Sequence, residues 1–389
     1  MIRREDIREL ADVYSEDGCA LSFYSQPSTP QNKSHKEEVI QAKDLVREAL
    51  REAEKNGKNK CARADLDRIL KIAEELHGNQ AHAKAIFACS AQGFWHEFEL
   101  PPQLPGSSLL VNQRFHLRPL AAVLHTLSEA CVAVVDRQRA RLFQASQNEV
   151  SEQEDFESPV PRRGRSDGFA GYDAGHAERH VEHEVMHHFK AVAERLKELY
   201  DTGMCANLIV GCRDETWPEL EPHLHSYVRQ HLLGRFSIDT GNARVEQVRE
   251  ETARILSQTE ANQRQELIRE VLGEAQRNGR GVVGLRRVLQ SLETGEVQTL
   301  LLGGKFRGAG IECTNCGHLD LHITDACPIC GKPTRELSDL SDAIMGAAVR
   351  KGVDIVYVED DPDLDKVGNI GALLRFRADQ STNDLKKAV

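Results

Sequence analysis

The sequence predicts an α/β protein built from three mixed α/β domains, the third of which carries a cysteine-rich insert. Three observations predict this class. The 389 residues suffice for two or three domains of ordinary size, and 40% of them are hydrophobic, so each domain can bury a core. Short apolar runs of strand-like composition alternate with segments of helical periodicity. Two Cys-x-x-Cys pairs interrupt this pattern in the last third of the chain.

The first domain is predicted over residues 1–126. The run ALSFYSQ at 20–26 is typical of a strand. Apolar residues spaced three and four apart predict helices over 37–56 and 62–76. The runs AKAIFACS and WHEFEL predict a hairpin that turns at 91–93.

The middle domain is predicted over residues 127–262. Its run ANLIVGC at 206–212 is almost continuously apolar, which is typical of a strand covered on both faces of its sheet. The polar stretch 146–175, with acids first and arginines later, is predicted to be a long loop, which is either functional or disordered. The other predicted elements are a hairpin turning at 137–139 and helices over 176–200, 220–232 and 242–257.

The third domain is predicted over residues 263–378, and the polar segment 379–389 is predicted to be a tail. The run VQTLLL at 297–302 is typical of a buried strand, and VDIVYVE and GALLRFR are typical of two more. Helical periodicity predicts helices from about 265, over 282–292 and over 339–351.

The charge balance excludes some partners. The formal net charge of -11 and the pI of about 5.8 argue against non-specific binding to DNA or to an anionic membrane, so RNA contact requires a local basic patch. No apolar run approaches the roughly 20 residues that span a bilayer, and the acidic start MIRREDIREL is not typical of a secretory signal. We therefore expect a cytoplasmic protein. Six scattered cysteines are then expected to be reduced core residues.

The cysteine pairs predict a metal site. The segment CTNCGHLDLHITDACPIC places Cys313, Cys316, Cys327 and Cys330 in two Cys-x-x-Cys turns, each followed by glycine. Four thiolates in two such turns are the ligands of a structural Zn²⁺, and they leave no open position for water. The sequence thus predicts a zinc ribbon at 311–334 whose ion is structural.

The pentapeptide HEVMH at 183–187 matches the zinc-protease pattern His-Glu-x-x-His. A third ligand would be needed, and Glu219 and Glu221 are conceivable but not singled out. The two histidines also belong to a longer stripe on one helix face, with His176 and His180. The alternatives left open are a catalytic zinc site, a non-catalytic metal site, a stripe that faces RNA, and a solvated face without a role.

Three stretches resemble the archaeo-eukaryotic class-one release factors and their relative Pelota, in the bacterial branch with Balon-like members. In the last domain, GVVGLRRVLQSLETGEVQTLLLG and KGVDIVYVEDDPDLDKVGNIGALLRFRAD are similar to the family's helix-to-strand phrase and its ending. In the middle domain, EACVAVVDRQRARLFQ, FKAVAERL, NLIVGC and QHLLGRFSIDTGN follow the family's order. The resemblance covers about 128–378.

This resemblance implies a role for the polar loop. Release factors carry Gly-Gly-Gln there, and its Gln helps water to attack peptidyl-tRNA; the corresponding positions here are Ala170, Gly171 and Tyr172. The Gln is missing, so no catalytic residue is assigned. Arginines that contact phosphates and aromatic rings that stack on unpaired bases make the loop and the helix behind it an RNA-binding candidate. The candidate residues are Arg162, Arg163, Arg165, Phe169, Ala170, Gly171, Tyr172, His176, Arg179, His180 and His183.

The function that the resemblance implies is a ribosome-binding translation factor. It would occupy the A site and reach the rRNA of the peptidyl-transferase centre without releasing the peptide, in hibernation or in recognition of stalled ribosomes. Transfer RNA and elongation factor Tu are the further partners implied. One alternative is a peptidyl-tRNA hydrolase or rescue factor with a non-standard loop, in which His176 or His180 replaces the Gln. The other is a His-Glu-x-x-His metallohydrolase.

Overall fold

The structure is a computed structural model that describes residues 4–26, 36–55, 59–75, 83–100, 106–120, 129–146, 149–158 and 173–378. By internal contacts the chain forms two compact units. Unit 1 comprises Met1–Thr126 together with Arg264–Val389, and unit 2 comprises Leu127–Gln263. Both contain helices and sheets, so the predicted mixed α/β class is confirmed. The division into three domains stays a prediction.

Unit 2 is built on a five-stranded sheet. Its strands, in spatial order, are β7 (Glu149–Glu157), β6 (Arg139–Ser146), β5 (Glu129–Val135), β8 (Leu208–Gly211) and β9 (Leu232–Phe236). Strand β5 (Glu129–Val135) forms the predicted hairpin with β6 (Arg139–Ser146) and pairs in parallel with β8 (Leu208–Gly211). Alternate residues of β5 enter two different cores. One core holds helix α4 (Asp173–Asp201), and the other holds the first part of helix α7 (Val245–Gln276). The continuous apolar run of β8 is therefore explained by cover on both faces.

The stretch predicted as a loop contains a strand instead. Residues Glu149–Glu157 form β7, which pairs antiparallel with β6. Three arginines each bind one of its acids through two guanidinium nitrogens, Nε and Nη2: Arg139 binds Asp155, Arg141 binds Glu152, and Arg195 binds Glu154. Because this strand is at the sheet edge and its side chains are paired with cations, it needs no apolar alternation, and the sequence pattern hides it.

Two predicted helices of unit 2 also differ. The helix expected over 220–232 is replaced by α5 (Trp217–Leu220), a 3₁₀ turn, α6 (Ser226–Gln230) and strand β9 (Leu232–Phe236). Pro222 lies at the start of that 3₁₀ turn, where a helix cannot continue unbroken. By contrast, the helices expected over 242–257 and from 265 are a single helix, α7, because no Gly or Pro separates them.

Unit 1 contains two four-stranded sheets. The first has the order β3-β2-β1-β4, with β1 (Ala20–Ser25), the predicted hairpin β2 (Ala83–Cys89) and β3 (Phe94–Leu100), and β4 (Ser108–Asn112). One face of this sheet packs on helices α2 (Lys36–Lys55) and α3 (Asn59–Glu75). Residues 76–82 and 101–105 lie outside the described part of the chain.

The second sheet of unit 1 has the order β10-β16-β11-β15. The strands are β10 (Gly281–Val283), β11 (Val297–Gly303), β15 (Asp354–Val358) and β16 (Ile370–Leu374). The helices are α8 (Leu285–Glu293), α9 (Ser341–Arg350) and the short α10 (Pro362–Asp365). The helix predicted over 282–292 is shorter in the structure, because residues 282 and 283 belong to strand β10 and α8 begins at Leu285. The predicted strands and the helix near 339–351 are confirmed.

A single core joins the two ends of the chain in unit 1. Helix α1 (Arg4–Asp12), which the sequence pattern did not single out, packs against α9, and Ile7 and Leu10 are buried there. The same cluster contains Tyr24 and Phe87 of the first sheet and Leu300 of the second. Burial of these side chains contributes roughly 1.5–3 kcal/mol each to stability. The first and last thirds of the chain therefore stabilise one another.

The scattered cysteines and the tryptophans complete the packing. Cys89, Cys131, Cys205 and Cys212 are buried free thiols, as expected. The expectation of reduced thiols is wrong for Cys19 and Cys61, which form a disulfide with a Cα–Cα distance of 5.9 Å. The guanidinium of Arg68 lies 3.7 Å from the ring centroid of Trp95 in unit 1, and that of Arg235 lies 4.5 Å from Trp217 in unit 2.

Within the described part of the chain, no helix is both long enough and apolar enough to cross a bilayer.

Candidate metal centre and candidate RNA-facing helix

The four predicted cysteine ligands lie at the end of a small three-stranded sheet of unit 1. Its order is β13-β12-β14, with β12 (Gly310–Cys313), β13 (Leu319–Asp320) and β14 (Thr334–Leu337). Each Cys-x-x-Cys turn closes in the same way. Gly317 donates its N–H to the carbonyl of Cys313, and Gly331 donates to that of Cys327. Both glycines have φ of 70°, the left-handed conformation that favours glycine.

The sulfur positions fit a tetrahedral ion. The Sγ atoms of Cys313 and Cys330 are 3.4 Å apart, those of Cys316 and Cys327 are 3.7 Å apart, and all four lie within 4.8 Å of one another. A Zn–S bond of about 2.3 Å in tetrahedral geometry requires S···S distances of about 3.8 Å. The backbone N–H groups of Asn315 and Cys316 point at the Cys313 sulfur from 3.4 Å. The four thiols fit a zinc ion, which would be held by sulfur alone.

The surroundings of the four cysteines favour the thiolate form of Cys313. Burial by itself raises the pKa of Cys313, but the N–H groups of Cys316 and Asn315 outweigh it and lower that pKa to about 6. For Cys316, the N–H of His318 lowers the pKa, while burial and the neighbouring thiols raise it to about 12. Four sulfurs cannot all ionise side by side without a cation, so the arrangement favours a bound divalent ion.

A buried charge cluster lies directly beside the cysteines. Glu312, one residue before Cys313, has a side chain only 3% exposed. Its carboxylate accepts hydrogen bonds from Arg114 at 2.5 and 2.6 Å and from Arg335 at 2.7 and 3.0 Å. The Arg335 guanidinium lies 3.4 Å from the ring centroid of Tyr14. This cluster, Glu312 with Arg114, Arg335 and Tyr14, ties the cysteine insert to residues near the start of the chain.

The predicted RNA-binding residues divide between described and undescribed parts. The loop residues Arg162, Arg163, Arg165, Phe169, Ala170, Gly171 and Tyr172 lie outside the described residues. His176 lies in the first turn of α4, but its side chain is outside the described part as well. Arg179, His180 and His183 lie on the exposed side of α4, opposite the face that buries Val185, Phe189 and Val192. Their RNA contacts remain a prediction.

The two histidines of the HEVMH segment, His183 and His187, lie on the same exposed side, whereas its Val185 is buried. The Nε2 atoms of His183 and His187 are 3.2 Å apart. Both conceivable third ligands of a metal at this pair are already engaged by arginines. Glu219 binds Arg137 with both carboxylate oxygens, and Glu221 faces Arg229. Among the described residues, the only group of three or more potential ligands is the four cysteines. The geometry therefore gives the protease alternative no support.

The sequence did not predict the role of a further histidine, His188, which is buried beside Ser158. His188 is 1% exposed, and its Nδ1 lies 2.8 Å from the hydroxyl of Ser158, the last described residue before the loop. Its Nε2 is buried without a hydrogen-bond partner. Burial lowers the pKa of His188, an effect that the carbonyl of Arg139 and the charge of Asp136 oppose. The position of His188 beside the stripe gave no sign of this, because burial depends on the tertiary fold.

His188 should make unit 2 sensitive to acid. In the unfolded chain a histidine titrates near pH 6.5, and in the folded protein its pKa is lower, so folding disfavours protonation. The stability is then fully present above about pH 6.5 and is lost as the pH falls below it toward the folded pKa. We expect the urea midpoint of the wild type to fall more steeply between about pH 7 and pH 5 than that of His188→Gln. His180→Gln, at an exposed position, should keep the wild-type slope; equal slopes in all three proteins would contradict the prediction.

The chain is similar to one family model and to several known proteins. The model of the bacterial archaeo-eukaryotic release factor family 10 matches residues 116–280. Peptide chain release factor subunit 1 of Archaeoglobus fulgidus is 21% identical over 394 residues, covering 96% of this chain and 91% of the relative. The structure of Archaeoglobus fulgidus Pelota covers 96% of this chain and 93% of its own at 12% identity and a TM-score of 0.40. A ribosome-bound archaeal Pelota covers 76% of this chain and 78% of its own, at 16% identity and a TM-score of 0.41.

By these matches the chain resembles proteins of the release-factor and Pelota type. It is release-factor-like, and its middle portion matches the bacterial archaeo-eukaryotic release factor family 10. The resemblance that the sequence predicted is confirmed.

Proposed function

We propose that this protein binds the ribosome in the A site and reaches toward the peptidyl-transferase centre without releasing the peptide. One observation carries the proposal. The family match over residues 116–280 includes the segment where release factors hold Gly-Gly-Gln, and this chain has Ala170-Gly171-Tyr172 there. A phenol cannot reproduce the amide that positions the attacking water, so the factor that we propose binds without the release chemistry.

The charges around this segment support contact with rRNA. Three arginines, Arg162, Arg163 and Arg165, precede it in a chain whose net charge is -11. Such a local cluster gives affinity for phosphates where the rest of the surface repels them. Arg179 and His180 follow in the sequence and are exposed on α4, where Arg179 adds a further positive charge. Three acids of β7, which precedes the loop, are paired with arginines: Asp155 with Arg139, Glu152 with Arg141, and Glu154 with Arg195.

The physiological role that we propose follows from occupancy. A factor that fills the A site without hydrolysis keeps the ribosome idle, as in hibernation, or marks a stalled one. Delivery by elongation factor Tu and contact with tRNA form part of this proposal. A cytoplasmic location follows from a ribosomal partner.

Sedimentation with ribosomes tests the proposal. We expect the full chain to comigrate with 70S ribosomes from stationary cells at low salt, and the combined variant Arg162→Ala, Arg163→Ala, Arg165→Ala to stay near the top. Each lost phosphate contact should reduce the salt slope of binding by about 0.7–0.9. A matched control changes the same charge elsewhere in unit 2, with Arg244→Ala, Arg249→Ala and Arg254→Ala, which are exposed on or next to α7. Equal loss in both triple variants, or no comigration of the wild type, would refute the proposal.

A release assay separates this function from hydrolysis. Ribosomes that carry labelled peptidyl-tRNA should retain their peptide when the protein is added at saturating concentration. If peptide is released and His180→Ala abolishes the release, the chain is a hydrolase with a non-standard loop, and the binding-only proposal fails.

A further inference from the structure

We propose that His183 and His187 form a second metal site, separate from the four cysteines, for a divalent transition ion such as Zn²⁺, Ni²⁺ or Cu²⁺. The two imidazoles are one helical turn apart on α4, and their Nε2 atoms converge to 3.2 Å. A metal bound to two imidazoles at about 2.0–2.1 Å, with an angle between 90° and 109°, needs nitrogens roughly 2.9–3.4 Å apart. The observed distance falls within that range, so the pair can take an ion without moving the helix.

The helix holds this pair in place. Val185, Phe189 and Val192 on the opposite face are buried in the core of unit 2, which fixes the rotation of α4 about its axis. The rings themselves are packed edge to face, with centroids 4.3 Å apart. Two ligands on a rigid helix lose little conformational freedom when an ion binds, and this favours chelation.

Glu184 lies beside the pair. Its Oε1 is 3.9 Å from the Nδ1 of His183 and the same distance from the Nδ1 of His180, which is too long for a hydrogen bond. The carboxylate adds negative charge near the proposed ion, and imidazole nitrogen is a preferred ligand of zinc, nickel and copper.

The site would bind rather than catalyse. With two protein ligands, the ion keeps open positions for water or for a ligand from another molecule, unlike the closed four-sulfur centre. Glu184 lies on the Nδ1 side of His183, away from the converging nitrogens, and Glu219 is held by Arg137. The proposal does not depend on ribosome binding, since metal content and cosedimentation are measured separately.

Zinc stoichiometry tests the site. The full chain, without an affinity tag, is dialysed against micromolar ZnCl₂, and bound metal is measured by plasma mass spectrometry. We expect two equivalents for the wild type and one for either His183→Ala or His187→Ala, with the cysteine-bound ion retained. All positions are exposed, and unchanged circular dichroism would show that the variants fold.

His180→Ala is the matched control, because it removes one histidine of the same stripe but not of the pair. It should keep two equivalents. The proposal is overturned if the wild type binds one equivalent only, if either variant of the pair keeps two, or if the His180 variant also loses one.

Discussion

Replacing Cys316 by Ser is expected to remove one equivalent of zinc and to unfold the insert at 311–334. The binding free energy of a structural zinc is about 10–16 kcal/mol in small zinc domains, comparable with the whole net stability of about 5–15 kcal/mol of a folded protein. The insert has a small core of its own, because Ile323 and Ile329 are exposed and Ile311 and Leu319 are its only buried large apolar side chains among the described residues. Metal content and protease sensitivity of the insert, before and after a chelator, measure the effect.

A neighbouring variant provides the control for this prediction. Asn315→Ser changes a side chain inside the same Cys-x-x-Cys turn but leaves all four sulfurs, so zinc and protease resistance should be retained. If Cys316→Ser retained its zinc and its resistance to protease, the four cysteines would not be a structural zinc site.

Replacing Glu312 by Ala is expected to lower the free energy of unfolding of unit 1 by about 3–5 kcal/mol, the usual cost of leaving buried charges unpaired. Arg114 and Arg335 would lose a shared carboxylate while their side chains stay only 13% and 22% exposed. The packing of helix α1 should weaken as well, because Arg114 also donates a hydrogen bond to the carbonyl of Ala11. Urea unfolding followed by circular dichroism gives the change.

Two further proteins separate charge from packing. Glu336→Ala removes an exposed acid from the same small sheet and should change stability by less than about 0.5 kcal/mol. Combining Glu312→Leu with Arg114→Met and Arg335→Met removes all three charges and should cost less than Glu312→Ala alone, because no orphan charge remains. A triple variant that is less stable than Glu312→Ala would show that packing, not charge pairing, dominates.

Features governed by short-range signals could be predicted from the sequence. The hairpins at 91–93 and 137–139 are joined by short turns between apolar runs, and the structure has both. The cysteine turns were also predictable, because a Cys-x-x-Cys-Gly unit contains its own geometry. The converging sulfurs follow from two such turns on neighbouring strands.

Features governed by distant partners could not be predicted. Strand β7 is polar and depends on Arg139, Arg141 and Arg195, which come from two other elements. In the sequence, Glu312 resembles an ordinary surface acid. Its main partner, Arg114, lies almost 200 positions earlier and comes beside it only in the folded chain. The disulfide between Cys19 and Cys61 likewise needs the residue before β1 to meet helix α3.

The placement of the two tryptophans gives the protein a built-in optical reporter for each unit. Trp95 belongs to unit 1 and Trp217 to unit 2, and each indole ring is stacked by an arginine that leaves when the local fold opens. The emission of a Trp217→Phe protein therefore follows unit 1 alone, and that of Trp95→Phe follows unit 2. Loss of the cysteine-bound ion and protonation of His188 would consequently appear in different fluorophores of the same chain.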